Sequence, residues 1–246
     1  MRTSLGSAPL ISGQDVNTSS STQQMTLGAY AETADGRGFR YCKVGASTAT
    51  VAARIYQAPA EDATNFQNLT CAVNSVGDTS VVTTSTPTIT ADQASSLAGG
   101  TLVVVSATLG SGRIYRIKSV ASVSAAVATF VLEDPIAVAT TGTVKIDVHP
   151  NPYNGVIITP AGSATSCPVG VATNAITDAQ FGWIQTHGPA HVLSSTAMTV
   201  GNNVMPLFAT AAGAGTVAVD GVKASIGYAL TGIATTDVGH VYLTID

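Results

Sequence analysis

TLVVVSATLGSGRIYRIKSV, residues 101–120, contains two runs that change character around a glycine turn. Thr101–Thr108 is rich in Val and Thr. In Arg113–Val120, Ile114, Arg116 and Lys118 alternate with Tyr115 and Ile117. Period-two alternation presents one face to a core and one to water, and the Gly110–Gly112 turn between the runs makes the stretch a β-hairpin. The same texture spreads outward. Val123–Leu132 and Val144–Val148 continue the run, separated by the loop Glu133–Gly142, and HPNPYNG (His149–Gly155) marks a boundary. Toward the N-terminus, a DGRG turn at Asp35–Gly38 precedes Phe39, Tyr41 and Lys43, which alternate with Arg40 and Cys42; Ala49–Tyr56 follows and ends at Pro59. Toward the C-terminus the expected strands are Gly155–Thr159, Gln180–Thr186, His191–Ser195, Val204–Ala209, Gly215–Asp220, Ala224–Leu230 and His240–Ile245. Gly and Pro clusters separate them at the spacing of sandwiches and barrels. Helix is confined to short stretches at Ala60–Phe66 and Thr90–Leu97, with Thr90 or Asp92 as N-cap and Gly99 as stop. The expected fold is all-β, with β-barrel or β-sandwich domains and an extended N-terminal arm. The arm is residues 1–26, polar and without periodicity; the main β domain is 27–78 with 150–246; and 79–149 is an inserted, small barrel-like domain.

Only 10% of the 246 residues are charged, against about 25% in ordinary globular domains. With 45% apolar residues this is not the composition of disorder, which pairs low hydrophobicity with high net charge. The net charge is −4. The ten Lys and Arg are dispersed, among them Arg37, Arg40, Lys43 and Arg54, then Arg113, Arg116 and Lys118. No basic face forms to displace counterions from phosphate, so nucleic acid is not an expected partner. Cys42, Cys71 and Cys167 are odd in number and widely spaced, which argues against a disulfide framework or a CxxC knuckle. Cys42, inside an alternating run, reads as a buried free thiol. The first twelve residues lack the apolar run of a secretory signal, and no stretch is long and apolar enough to span a membrane. A reducing cytoplasm is the expected site of synthesis, where the sequons at Asn17 and Asn68 carry no meaning.

Motifs that carry chemistry are absent. His187 and His191 have HxxxH spacing, but Gly188 and Pro189 between them forbid the helix that would bring both rings to one face. No GxSxG elbow occurs, and Gly110–Gly112 lacks the strand-to-helix context of a phosphate loop. The carboxylate neighbours Glu61–Asp62 and Glu133–Asp134 sit in turns, where adjacent side chains diverge, whereas glycoside hydrolysis needs a facing pair. The expectation is a protein without catalytic residues, metal or cofactor.

QFGWIQTHGPAHVL (Gln180–Leu193) follows CPVGVATNAITD (Cys167–Asp178); with DGRGFRYCKVG (Asp35–Gly45) and ASIGYAL (Ala224–Leu230) it forms an ordered set. In that order the chain resembles head structural proteins of tailed bacteriophages, the capsid decoration or cement class. The resemblance covers most of 27–246; the arm has no counterpart. It implies a virion protein on the capsid surface that bridges major capsid protein subunits, with no membrane and no nucleic acid among its partners. Many short strands with few Lys or Glu to guard their edges call for a covering sister subunit, hence an expected homotrimer. Such a trimer multiplies modest contacts through effective concentration. The arm is expected to order only on the capsid. By period two, Trp183 shares a face with Phe181 and Gln185 while Ile184 and Thr186 point away, with Gly182 allowing close packing and Pro189 ending a strand or sitting at an edge. The residues singled out as structural or interface groups are Trp183, Gln185, His187, Pro189, Phe39 and Tyr41, with core packing the preferred role for Trp183. Alternatives are a head-fibre, tail or baseplate component, a carbohydrate-binding β adhesin, and, last, a hydrolase.

Overall fold

Strand dominates the described residues, much of it where period-two alternation points. The structure, a computed structural model, describes residues 8–46, 49–84, 89–106, 110, 112–124, 127–161, 165–206, 212–217 and 225–246, with backbone alone for 122–124. Parts of several expected elements lie outside the described residues: arm positions 1–7, turn position 111, and strand positions 107–108, 125–126, 207–209, 218–220 and 224. In chain order come β1 (Tyr30–Glu32), β2 (Gly38–Val44), β3 (Ile55–Gln57), α1 (Ala63–Phe66), β4 (Leu69–Thr70), β5 (Ser80–Val82), α2 (Ala91–Leu97), β6 (Thr101–Val104), β7 (Ile114–Ser124), β8 (Val127–Leu132) and β9 (Lys145–His149). The chain continues through β10 (Asn154–Ile158), β11 (Pro168–Ala172), β12 (Phe181–Leu193), β13 (Asn203–Pro206), β14 (Gly215–Val217), β15 (Gly227–Ala229) and β16 (Val238–Thr244). No described helix is long and apolar enough to cross a membrane.

Two units result: Glu61–Asn151 forms one, and the flanks, up to Ala60 and from Pro152, form the other. In the inserted unit six antiparallel strands run in the order β4-β9-β6-β7-β8-β5. A bridge between Cys71 and Thr83, just beyond β4 and β5, closes the ring. Alternate residues point inward, so Leu102, Val104, Tyr115, Ile117, Phe130, Leu132, Ile146 and Val148 form its core. The hairpin at 101–120 is present, with Thr101 opposite Arg116 and Val103 opposite Ile114. Helix α2 carries a reciprocal cap: Gln93 N–H donates to Thr90 Oγ1 (3.2 Å) and Thr90 N–H to Gln93 Oε1 (2.9 Å). The insertion starts at Glu61 where the sequence suggested 79. Leu69–Thr70 is too short to show alternation, yet it pairs with Ile146–Lys145, and Asn74 N–H and C=O are both exchanged with Thr140.

In the flanking unit β2, β10, β3, β11 and β12 pair in turn, and β12 pairs back with β2, closing a five-stranded ring. Cys42, Val44, Val156, Val169, Ile176 and Ile184 pack as its apolar cluster. The C-terminal part of β12 leaves this ring and pairs with β16, followed by β15, β13 and β14. A Ser194–Gly215 bridge turns that sheet back on itself as a half-barrel around Val192, Val204, Ile226, Val241 and Leu243.

Residues 8–26 are not a dangling arm. Leu10 bridges Glu32, Ser20 bridges Phe181, and a 3-10 turn at Asp15–Asn17 buries Val16. Val16 packs with Phe39, Tyr41 and Trp183, and Ile11 and Leu27 lie against the same cluster. The few apolar side chains of this polar segment are spaced to cover one aromatic layer, a function that periodicity does not reveal.

Candidate contact surface

Strand β12 sets the geometry. Two strands, Gln180–Thr186 and His191–Ser195, were expected on either side of Gly188-Pro189; instead one strand runs unbroken from Phe181 to Leu193. The register explains how proline is accommodated. Hydrogen bonds from Ile245 N–H to Thr186 C=O (3.1 Å) and from Ser194 N–H to Asp237 C=O (2.8 Å) bracket the β12–β16 ladder. In antiparallel pairing bonded and non-bonded pairs alternate, so Pro189, opposite Tyr242, stands at a non-bonded position where no N–H is owed to β16. On the other edge β2 starts at Gly38, opposite His187, so no strand pairing is lost there either.

The kink that remains is held by one side chain. Gly188 has φ +83°, and a Cβ there would lie 3.3 Å from Arg37 Cα and Gly36 O, so both conformation and space favour glycine. Gln185, 1% exposed, donates from Nε2 to the carbonyls of His187 (2.9 Å) and Pro189 (2.8 Å). It is an internal staple, not a contact residue. Phe39, Tyr41 and Trp183 are buried as well; the Tyr41 and Trp183 rings meet edge to face at 5.1 Å, and Phe181 stacks on Tyr41. Four of the six residues singled out from the sequence therefore cannot touch a partner: period two assigns them to a face, but that face is covered by residues 8–26. Gly182 fulfils its expected role, since a Cβ there would lie 2.6 Å from Ile176 Cδ1.

His187 and Pro189 do reach the surface, and the sheet brings other rings beside them. Beyond the kink, Ala190 and Val192 on β12 and Val241 and Leu243 on β16 point into the half-barrel. The alternate residues point out: Pro189 and His191 on β12, Val238 and His240 on β16, Tyr228 on β15, then Leu230. Tyr242 stacks on Tyr228 with centroids 5.4 Å apart and planes at 11°. Its hydroxyl lies 3.2 Å from His187 Nε2. In the next row His191 stands opposite His240, their rings stacked at 4.6 Å and 15°. Three of the four histidines thus share one face. Leu230, Val238 and Tyr228 are exposed by 38%, 46% and 39%. Sequence reasoning missed Tyr228, Tyr242 and the His191–His240 pairing. Alternation within β16 would have aligned 238, 240 and 242; which strand lies beside it is not a local property.

One end of this face is anchored by charge. Arg40 donates from Nε and Nη2 to the two carboxylate oxygens of Asp246 (2.9 and 3.1 Å) and from Nη1 to Gly28 C=O (2.7 Å), with the Tyr30 ring 5.1 Å from its guanidinium carbon. Burial pushes the Asp246 carboxyl up, but hydrogen bonds from Arg40 and Thr186 and the Arg40 and His187 charges outweigh it and hold it below the usual range. Burial, reinforced by the hydrogen bond to Glu32, pushes the Tyr30 hydroxyl up to about 12.

The carboxylate neighbours weighed for chemistry have structural work. Asp62 accepts from Asn65 N–H (3.1 Å) at the start of α1 and from Gln93 Nε2 (2.8 Å); Glu133 pairs with Arg116 at 3.3 Å. The three cysteines are free thiols, Cys42 and Cys71 buried and Cys167 exposed. Among the described residues no group of three or more His, Cys, Asp or Glu is placed to hold a metal ion. An open groove of about 520 Å³ beside α2 is lined by Ile89, Ala94, Ser95, Val120 and similar small groups, none titratable. No family model, no curated protein and no solved structure matches the chain.

Proposed function

We propose that this chain is a non-catalytic structural protein of a tailed-phage virion, a decoration protein that stabilises the capsid by bridging major capsid protein subunits, acting as a homotrimer without nucleic acid or membrane. One observation supports work by surface contact: in a charge-poor chain, Tyr228, Tyr242, His187, His191 and His240 gather with Leu230 and Val238 on one sheet face. Enriched aromatics and depleted charge are the composition of interface centres. The closed five-stranded ring that shares β12 with this face is a stiff support for it, and the ordered motifs of 27–246 supply the phage-head resemblance.

The test is location on the particle. In a cryo-EM reconstruction of virions carrying this chain, density for its two β units is expected on the capsid exterior; finding the chain in the tail, or not on the particle, overturns the reading. A paired variant, Tyr228→Ser with Val238→Ser, is expected to stay folded and to lose capsid attachment in co-sedimentation. A second reading, a carbohydrate-binding module, draws on the exposed Tyr228–Tyr242 stack; binding to a glycan array that the same variant abolishes would favour it.

A further inference from the structure

We propose that His191 and His240 form a two-imidazole site for a borderline divalent transition-metal ion such as Zn²⁺ or Ni²⁺. The two residues are directly opposite on β12 and β16, at a non-bonded position of the ladder by the alternation derived above. That class of pair brings side chains closest across a sheet, with Cβ atoms about 4.5–5.5 Å apart. The rings already touch, with centroids 4.6 Å apart, and both residues are exposed. Neither ring has a hydrogen bond to another described residue, in contrast to His187, which faces Tyr242 Oη and the Asp246 carbonyl. Their nitrogen lone pairs are therefore available.

The surroundings admit a cation. The ladder rows on either side hold Pro189 with Tyr242 and Leu193 with Val238, so no ammonium or guanidinium lies in the adjacent rows to repel one. Stacked rings carry their in-plane lone pairs side by side. Rotation about the broad terminal torsion of each exposed imidazole turns both toward one point above the sheet. Imidazole selects Zn, Ni or Cu over Ca and Mg, which take oxygen ligands. Two protein ligands leave the remaining tetrahedral positions to water or to a donor from a second molecule. The ion would tie the last strand of the half-barrel to β12, and because the pair exists only in the folded chain, binding raises stability.

The experiment is a calorimetric titration of the full chain with ZnCl₂ at pH 7.5, carried out in a Cys167→Ser background to remove the exposed thiol, with thermal melts alongside. Expected are one saturable site per chain and a midpoint that rises with Zn²⁺ but not with Ca²⁺. His191→Ala and His240→Ala should each abolish both effects while melting normally without metal, and His187→Ala should retain both. Acidification to pH 5.5 should weaken binding, since protons compete for the ligating nitrogens. Absence of saturable binding, or binding that survives both alanine substitutions, overturns the assignment.

Discussion

Gln185 shows how much a single side chain can settle. Its amide satisfies two carbonyls, those of His187 and Pro189, at a place where the backbone is kinked by Gly188. Leucine would fill similar space but take the amide donor away from two part-buried carbonyls, a loss of about 1–3 kcal/mol for a neutral group. Gln185→Leu is therefore expected to destabilise the flanking unit by about 2 kcal/mol in urea unfolding; a change under about 0.5 kcal/mol would remove the staple from the account. Arg40 and Asp246 tie β2 to the end of the chain, and their contribution depends on pH with a definite sign. The Asp246 carboxyl is held low in the folded state, so the unfolded chain binds its proton first. Stability is then fully present above the ordinary carboxylate range, about pH 4, and falls as acid protonates the folded group. Asp246→Asn should flatten that acid limb in a melting series between pH 7 and pH 3 without altering the alkaline side.

At the level of elements the polar N-terminal segment carries the clearest consequence. Val16 is 2% exposed against Phe39, Tyr41 and Trp183, and burying such a side chain is worth about 1.5–3 kcal/mol. Val16→Ala should cost about 1–2 kcal/mol, read as a lower melting midpoint, and removing residues 1–26 should cost more and expose tryptophan to quencher. A truncated chain that melts like the full one would return the segment to the status of a loose arm. Element type was legible where it is a local property. The period-two runs at 38–44, 101–104, 114–120 and 127–132, the cap at Thr90 and the left-handed Gly99 all stand where the sequence points. Continuity through Gly188-Pro189 was not legible, because whether a proline breaks a strand depends on which neighbour faces its missing N–H. The contact face was half legible: alternation puts His187, Pro189 and His191 on one side, whereas the neighbours that make them a patch come from residues 228–242 through long-range pairing.

For the whole molecule, the decisive feature is that the Glu61–Asn151 ring closes without help from the flanks. Its six strands satisfy one another, the Cys71–Thr83 bridge removes the open edge, and one apolar cluster from Phe66 to Val148 fills it. A closed ring with its own core has no bare edge to aggregate, and about 90 residues are enough for independent folding. The excised segment 61–151 is expected to express as a monomer with a β-type circular dichroism spectrum and a single cooperative thermal transition. The flanks give the reciprocal test: joining Ala60 to Pro152 through a short Gly-Ser linker should preserve the buried environment of Trp183, because the five-stranded ring and the half-barrel draw every strand from residues outside the insertion. If the excised segment proves unfolded while the flanks fold, ring closure is not sufficient for its stability, and the insertion depends on its host for more than a point of attachment.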